Sequence, residues 1–240
     1  MKLTYIYHSG FILTGERLSI VIDYFNGLSN QSGSPLSLDT ILHLPGELYV
    51  LSSHSHPDHF SPVVLSWKEE RKDIHYIFSK DILKRKLAKA EDATYLKKGD
   101  IYNDENLRIQ AFGSTDVGIS FYIEACGKRI FHAGDLNNWH WIEESTEEEI
   151  REAEDNYLRE LDAMAQSVDR LDLAMFPIDP RLGKDFDRGG RQFIDRIPVR
   201  IFVPMHFWER PAEVEVFRPY AESHGVDYEV LSVPGQSLDF

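Results

Sequence analysis

Short apolar runs, separated by turns and polar clusters, recur along the whole chain of 240 residues. Runs that alternate or are apolar throughout predict β-strands, and we assign strands to residues 3–6, 11–13, 18–23, 49–51, 74–78, 107–112, 118–124, 129–133, 171–177, 200–202 and 228–233. Residues 27–37 are rich in Gly, Ser, Asn and Pro, which predicts a surface loop. The pattern thus indicates many short strands joined by turns and loops.

Helix signals interrupt this series of strands. Ser61 before Pro62, and the serine that opens residues 79–89, are capping residues of the kind that begin helices. Thr146 and the glutamates after it form a capping-box start to a long acidic helix. Apolar residues at alternating spacings of four and three continue from it: Tyr157, Leu161, Met164, Val168 and Leu171. We expect this stripe to pack against a sheet, with a dimer contact as the alternative, and a final helix over residues 211–224.

Three histidines and one aspartate follow a predicted strand within six positions. Residues two apart on a strand point to the same side, so His54 and His56 should face one cavity together. Pro57 cannot continue the hydrogen-bonded ladder, so the chain should turn there and bring Asp58 and His59 to a second side of that cavity. Imidazole with carboxylate suits zinc, and manganese or iron less selectively. The segment therefore predicts a divalent metal site.

This H-x-H-x-D-H spacing resembles the signature of the metallo-β-lactamase superfamily. The resemblance implies an α/β fold of the four-layer αββα sandwich type, with the metals at one edge of the sheets. It also implies further ligands at later strand ends: Asp135, after Gly134, resembles the bridging aspartate, and His206 resembles the last histidine. The matched segments run from about His8 to about His206, and we expect residues 1–240 to form a single domain.

The third histidine of the superfamily is where this sequence departs from the pattern. The matching segment is residues 111–118, and Ser114 stands in place of an imidazole. A hydroxyl is a poor zinc ligand beside imidazole, so we expect one tight metal position and a weaker second one, unless Asp116 or His8 reaches in. The tight position would be formed by Asp58, His59, Asp135 and His206. The weaker position would keep only His54, His56 and the shared Asp135.

His8 and one tryptophan are further candidates for the site. The residues around His8, followed by the strand at 18–23, resemble the start of the lactonase-like branch of the superfamily, which includes ascorbate-6-phosphate lactonase. His8 would then lie near the metals, and a structural role beside a turn is the alternative. Trp139 belongs to an aromatic segment that follows Asp135, and we expect it to line a substrate pocket.

Asp179 and Arg181 lie on a loop that leaves a strand shortly before the strand ending at His206. If adjacent strands open on the same edge, Arg181 faces the metal site and could bind a carboxylate or phosphate bidentately. Both loop residues are therefore candidate substrate-binding residues. The alternative is that the arginines of this segment only pair with its aspartates, which are Asp179, Asp185 and Asp187.

The charge balance limits the class of partner. The chain carries 26 Lys and Arg against 40 Asp and Glu, a net charge of −14. This disfavours nucleic acid, because neutralising phosphates needs clustered Lys and Arg. Residues 143–172 alone hold 12 acidic and 3 basic residues, so most of the excess is local and a small anionic substrate stays compatible with the sequence.

The sequence contains neither the apolar core of a signal peptide nor an apolar run near the roughly 20 residues that span a bilayer. We therefore expect a cytoplasmic protein without a membrane partner, and the apolar stripe leaves a homo-oligomer open. Cys126 is the only cysteine, which excludes an internal disulfide.

These features together predict a metal-dependent hydrolase that acts on a small, anionic ester, lactone or phosphoester. A divalent metal, zinc first and manganese or iron otherwise, would supply hydroxide at neutral pH and polarise the oxygen under attack, with Asp58 as orienter. The alternatives are a phosphodiesterase or nuclease, and a metal-binding protein without catalysis, which Ser114 favours. A flavodiiron-like redox role would need a flavin domain, for which no part of the chain is left over.

Overall fold

Two seven-stranded sheets carry the fold, in a computed structural model that describes residues 1–24 and 36–240. Except for its last two positions, the loop predicted over residues 27–37 lies outside the described residues. The strands of the first sheet are β1 (Lys2–Tyr7), β2 (Gly10–Thr14), β3 (Leu18–Ile22), β4 (Glu47–Ser52), β5 (Ile74–Ser79), β6 (Thr94–Leu96) and β14 (Ser237–Asp239). Their order is β14-β1-β2-β3-β4-β5-β6, so the last strand pairs with the first.

The second sheet contains β7 (Ile101–Asn103), β8 (Leu107–Phe112), β9 (Ser120–Ala125), β10 (Lys128–His132), β11 (Leu171–Pro177), β12 (Val199–Met205) and β13 (Asp227–Tyr228). Its order is β13-β12-β11-β10-β9-β8-β7. The prediction of a closing strand over residues 228–233 is wrong in extent, because β13 ends at Tyr228. The chain then crosses to the first sheet, where Gly235 N donates to Tyr5 O at 2.9 Å and β14 pairs with β1.

Alternation along the strands divides the apolar side chains between layers. One face of the first sheet, with Tyr5, Phe11 and Leu51, packs in the same core as Ile109 and Phe121 of the second sheet. The opposite face of the first sheet packs against α1 (Leu38–Leu42), the 3-10 helix Pro62–Glu69 and α2 (Lys80–Lys84). The outer face of the second sheet packs against α3 (Glu147–Ala165), α4 (Arg188–Arg196) and α5 (Arg218–Ser223). These layers confirm the predicted αββα fold class.

The helices begin near the predicted caps, but Ser61 and Ser79 make no capping hydrogen bond and the helices are shorter than predicted. Thr146 and Glu149 form the expected capping box of α3, whose buried residues are Tyr157, Leu161 and Met164. These three residues pack against the second sheet, whereas Val168 and Leu171 lie beyond the end of α3 and Leu171 begins β11. The helix predicted over residues 79–89 ends at Lys84, soon before the left-handed Lys86, and the one predicted over residues 211–224 is the 3-10 helix Val214–Phe217 followed by α5. None of the described helices combines the length and apolar character that crossing a bilayer requires.

Strand direction brings the carboxyl ends of most of the described strands to one edge of the sandwich. In the first sheet, β1 and β3 both run antiparallel to β2, and β4 is parallel to β3. In the second sheet, β8 and β10 both run antiparallel to β9, while β11 and β12 are parallel to β10. The two sets of ends meet, since His206 N, after β12, donates to His8 O, after β1. We call this border the site edge.

Candidate metal centre

Two clusters of metal-ligand side chains lie side by side at the site edge. The first cluster consists of His8, Asp58, His59 and His206, and the second cluster consists of His54, His56, Asp116 and Asp135. Within each cluster, one candidate ligand atom from each residue lies within 4.8 Å of all the others. The clusters thus bring together the six residues predicted as ligands and the two candidates left open, His8 and Asp116.

The H-x-H-x-D-H segment supplies residues to both clusters because the backbone turns in its middle. His54 and His56 point together, with His54 Nε2 3.0 Å from His56 Nδ1. Two following backbone N–H groups donate to the His56 carbonyl oxygen at 2.9 Å. This turn carries Asp58 and His59 into the first cluster, as the position of Pro57 predicts.

Asp135 lies between the clusters and approaches both. Its Oδ1 is 3.2 Å from His59 Nε2 and 3.5 Å from His206 Nε2, while its Oδ2 is 3.3 Å from His54 Nε2. Trp139 stabilises the turn that begins at Asp135, because its indole Nε1 donates to the Asp135 backbone oxygen at 2.8 Å. A carboxylate with one oxygen toward each cluster is the arrangement that a bridging ligand needs.

Three buried groups behind the clusters orient the imidazoles. Asp23 Oδ2 lies 2.7 Å from His59 Nδ1 and accepts from Ser53 Oγ at 2.6 Å. The same Ser53 Oγ lies 3.0 Å from His54 Nδ1, and Asp179 Oδ2 lies 2.8 Å from His206 Nδ1. Engaging Nδ1 fixes each ring so that Nε2 faces the clusters. Asp23 and Ser53 were not predicted from the sequence, in which their only signal is their position beside strand ends.

Several buried atoms in the clusters have no hydrogen-bond partner among the described residues: both ring nitrogens of His8, His59 Nε2, His206 Nε2 and Asp135 Oδ1. Leaving such an atom unpaired costs about 1–3 kcal/mol. Neighbouring candidate ligand atoms lie 3.0 to 3.8 Å apart. Tetrahedral zinc with bonds of about 2.0–2.1 Å would separate its ligands by roughly 3.3 Å. The residues therefore fit a divalent metal, which would satisfy these atoms apart from the second ring nitrogen of His8.

The carboxylates next to His59 determine its pKa. Burial alone would lower the pKa of His59, but Asp135 and Asp23 outweigh burial and hold that pKa well above its ordinary value. Burial would raise the pKa of Asp135, but His59 and His206 hold it well below its ordinary value. The metal-free protein thus keeps a proton on His59 that a cation would displace. Burial lowers the pKa of His8 to about 4, so His8 is neutral at neutral pH.

Three residues of the site edge adopt the left-handed backbone conformation directly after a strand. The φ angles are 56° at His8, 47° at Asp23 and 66° at His206. For residues with a Cβ this conformation costs on the order of 1–2 kcal/mol each. Such strain persists where the surrounding structure imposes it, and it collects at functional sites.

Two glycines let loops of the second sheet approach the backbone before His54. Gly118 has a φ of +83°, and a Cβ there would overlap the Ser53 carbonyl oxygen and the His54 side chain. Gly134 has a φ of +52°, and its Cβ would lie 2.9 Å from Ser53 Cβ. A side chain at either position would push its loop away from the motif segment.

Ser114 uses its hydroxyl within its own loop, where its Oγ accepts from Asp116 N at 3.3 Å. Asp116 reaches the second cluster instead, with its Oδ2 3.5 Å from His56 Nδ1. The sequence identified the correct segment, but not which of its polar side chains faces the clusters.

A cavity of about 330 Å³ opens above the clusters. It is lined by His56, Asp58, Thr115, Asp116, Asp135, Trp139, Trp141, Arg181 and His206. Among the described residues that line it, Arg181 is the one lysine or arginine, and its guanidinium carbon lies 5.2 Å from the centre of the Trp208 ring and 5.9 Å from that of the Trp141 ring. Trp139 and Arg181 both line this cavity, and their role in substrate binding stays a prediction.

The prediction that Asp179 binds substrate is wrong, because Asp179 does not line the cavity. It is fully buried, and its two oxygens accept from Arg181 and lie against His206 Nδ1. Burial would raise the pKa of Asp179, but these two partners lower it to about 2. The neighbouring arginines also pair with aspartates, Arg188 with Asp185 and Arg191 with Asp187. Asp179 thus positions other residues of the site.

Comparison with known proteins agrees with this geometry. Residues 2–154 match the sequence model of the family described as the beta-lactamase superfamily domain. A UPF0173 metal-dependent hydrolase of Nanoarchaeum equitans is 24% identical over 240 residues, which cover 97% of this chain and 97% of the relative.

Solved structures share the fold at low sequence identity. Isothiocyanate hydrolase from Delia radicum gut bacteria has a TM-score of 0.62 and 16% identity, over 100% of this chain and 99% of that one. CmlA, a diiron beta-hydroxylase from Streptomyces venezuelae, has a TM-score of 0.68 and 14% identity, over 100% of this chain and 54% of that one. At these identities the likenesses show the fold alone. Because the family model matches more than half of the chain, this protein belongs to the metallo-β-lactamase superfamily, in which its full-length relative is named a metal-dependent hydrolase.

Proposed function

We propose that this protein is a dinuclear metal hydrolase acting on a small anionic ester, lactone or phosphoester, as in the lactonase-like branch. The observation that carries the proposal is the pair of clusters joined by Asp135, whose unpaired buried atoms lie below a cavity lined by Arg181. Zinc is the proposed metal, with manganese or iron as alternatives, because the ligand atoms are imidazole nitrogens and carboxylate oxygens.

Divalent metals bound at the clusters would lower the pKa of a water to roughly 7 and polarise the oxygen under attack. The chain's own residues then have separate roles. Asp135 holds the two clusters at a fixed separation, and Asp58 lies at the cavity floor, where it can orient the attacking oxygen. Asp23, Ser53 and Asp179 keep the imidazole rings in place from behind.

The position of Arg181 in the cavity is the reason for proposing an anionic substrate. Asp179 engages its Nε and Nη2, which fixes the guanidinium plane between Trp141 and Trp208. The chain's net charge of −14 and a cavity of about 330 Å³ favour a small molecule over a nucleic acid. The substrate anion would meet Arg181 while its ester or lactone carbonyl, or its phosphoryl group, lies over the clusters.

The test is a screen of metal-loaded protein against lactones, phosphodiesters and thioesters, with and without a charged group remote from the scissile bond. We expect hydrolysis that a chelator abolishes and that favours the charged members. Arg181→Ala should lower kcat/KM for these by about 1.5–3 kcal/mol equivalent, the range for a charged hydrogen bond. Arg188→Ala is the matched control and should match wild type, because that arginine pairs with Asp185 away from the cavity.

Two outcomes would contradict the proposal. Metal-loaded protein that binds two ions yet hydrolyses no member of the panel would support a metal-binding protein without catalysis. Preference for a polymeric phosphodiester, with strong salt dependence of binding, would support a nuclease.

A further inference from the structure

The two clusters differ in the chemistry of their side chains. The first cluster offers three imidazoles and one carboxylate, and the second offers two imidazoles and two carboxylates. They also differ in exposure: the side chains of His8 and His59 are fully buried, whereas those of His56 and Asp116 are 38% and 43% exposed. A metal in the second cluster would therefore have fewer nitrogen ligands and freer access to solvent.

Asp116 is held in its place by contacts on both sides of its loop. Thr115 Oγ donates to Asn137 O at 2.6 Å and accepts from Asn137 N at 2.9 Å, which joins the loop to the turn after Asp135. On the other side, Gly118 packs on the Ser53 and His54 backbone. The loop is thus fixed against the elements that carry two other members of the second cluster, and Asp116 lies between those contacts.

The hydroxyl of Ser114 strengthens this placement. It accepts from Asp116 N at 3.3 Å and closes a tight turn across residues 114–116. The Ser114 hydroxyl is engaged within the turn, whereas the Asp116 carboxylate points toward His56. The loop therefore presents an oxygen ligand at the position where the superfamily pattern leads one to expect a nitrogen ligand.

We propose that Asp116 is a ligand of the second cluster and makes it the weaker, more exchangeable of two unequal metal positions. Carboxylate oxygen suits harder ions than imidazole does, so the preference for zinc over manganese should be smaller here than at the first cluster. When zinc is limiting, the protein would hold zinc in the first cluster and a harder divalent ion in the second. This inference rests on the proposed dinuclear function.

The test uses the full chain, stripped of metal and reloaded with one equivalent of zinc. Mn²⁺ is then titrated in, and the free ion is followed by electron paramagnetic resonance. Wild type should retain the zinc and bind one Mn²⁺. Asp116→Asn, which keeps the shape but removes the charge, should weaken Mn²⁺ binding at least about tenfold while zinc stays bound. Asp116→His should shift the second position from Mn²⁺ toward zinc.

Variants of Ser114 serve as matched controls in the same loop. Ser114→Ala loses the hydrogen bond of the turn but keeps the Asp116 carboxylate, so it should weaken Mn²⁺ binding less than Asp116→Asn does, and Ser114→His should gain no zinc affinity at the second position. Mn²⁺ binding unchanged in Asp116→Asn, or a gain in Ser114→His, would overturn the inference while leaving the dinuclear hydrolase intact. Failure of wild type to hold the first equivalent of zinc would overturn the proposed function and this inference together.

Discussion

Asp179 contacts both Arg181, two positions away in the sequence, and His206, 27 positions away. One carboxylate contacts the Nδ1 of His206, which faces the first cluster, and also fixes the guanidinium of Arg181, which lines the cavity. Its burial leaves no room for a direct substrate contact. A single residue thus sets the orientation of a metal ligand and of the proposed anion-binding group.

We predict that Asp179→Asn weakens metal binding at the first cluster by about 10–100-fold, the usual effect of losing a carboxylate behind a ligating histidine. A calorimetric titration of stripped protein with zinc measures this. Asp185→Asn is the control, because Asp185 pairs with Arg188 outside both clusters. Equal zinc affinity in Asp179→Asn and wild type would show that His206 does not depend on this contact.

At the residue scale, the sequence predicted those candidate ligands whose direction depends only on nearby residues. His54, His56, Asp58 and His59 could be assigned because a strand end and Pro57 determine which way they point. Asp23 could not, because its role depends on reaching His59 across 36 positions, and no local pattern marks such a contact. The choice between Ser114 and its neighbour Asp116 likewise depended on the turn that the serine hydroxyl closes.

Glycine conformation fixes how closely the loop after β8 approaches the end of β4. Gly118 and Gly99 both have positive φ angles, +83° and +90°. A Cβ at Gly99 would meet nothing within 4 Å, whereas a Cβ at Gly118 would overlap Ser53 and His54. Substitutions at Gly99 and Gly118 therefore measure two costs separately. The first gives the free-energy cost of the left-handed backbone alone, and the second adds the cost of displacing residues 53 and 54.

We predict that Gly99→Ala lowers the free energy of unfolding by about 1–2 kcal/mol, from the left-handed conformation alone. Gly118→Ala should lower it by a further 1–3 kcal/mol or so, because overpacking adds to the same backbone cost. Urea denaturation of the two variants and wild type measures both values. Equal losses in the two variants would mean that the loop yields without strain and does not press on His54.

Elements were predicted best where one face is buried. Most strands of both sheets and the capping box of α3 follow from alternation and from Thr146 with Glu149, but the short strands β6 and β7 were not predicted. The C-terminal segment was predicted less well, because only Tyr228 of residues 228–233 lies in a strand, and β14, which was not predicted, pairs with β1. That pairing depends on a long-range crossover between sheets, which a local pattern does not contain.

At the scale of the whole molecule, stability, pH and metal are linked through the clusters. A folded-state pKa of His59 above its unfolded value of about 6.5 stabilises the metal-free protein below that pH, and this contribution is lost as pH rises through the folded pKa. The lowered pKa of Asp135 has the opposite pH dependence. Its contribution to the stability of the folded protein is present above about pH 3.9 and is lost as pH falls through the folded pKa. Metal binding needs His59 neutral, so low pH opposes it.

We therefore predict that the difference in Tm between metal-loaded and metal-free protein widens as pH rises from about 6 to about 8. Binding should also release protons, which calorimetry in buffers of different ionisation enthalpy can count. A difference in Tm that stays constant or narrows over this range would contradict the assignment of His59 as a protonated partner of Asp135 in the metal-free state.

The central claim is that two metal positions lie on either side of Asp135. Anomalous diffraction at the zinc absorption edge, from crystals of zinc-loaded protein, tests it most directly because it locates each ion. We predict a strong peak within the first cluster and a second, weaker peak within the second cluster. Anomalous density away from these residues, or none at the site edge in zinc-loaded crystals, would contradict the claim.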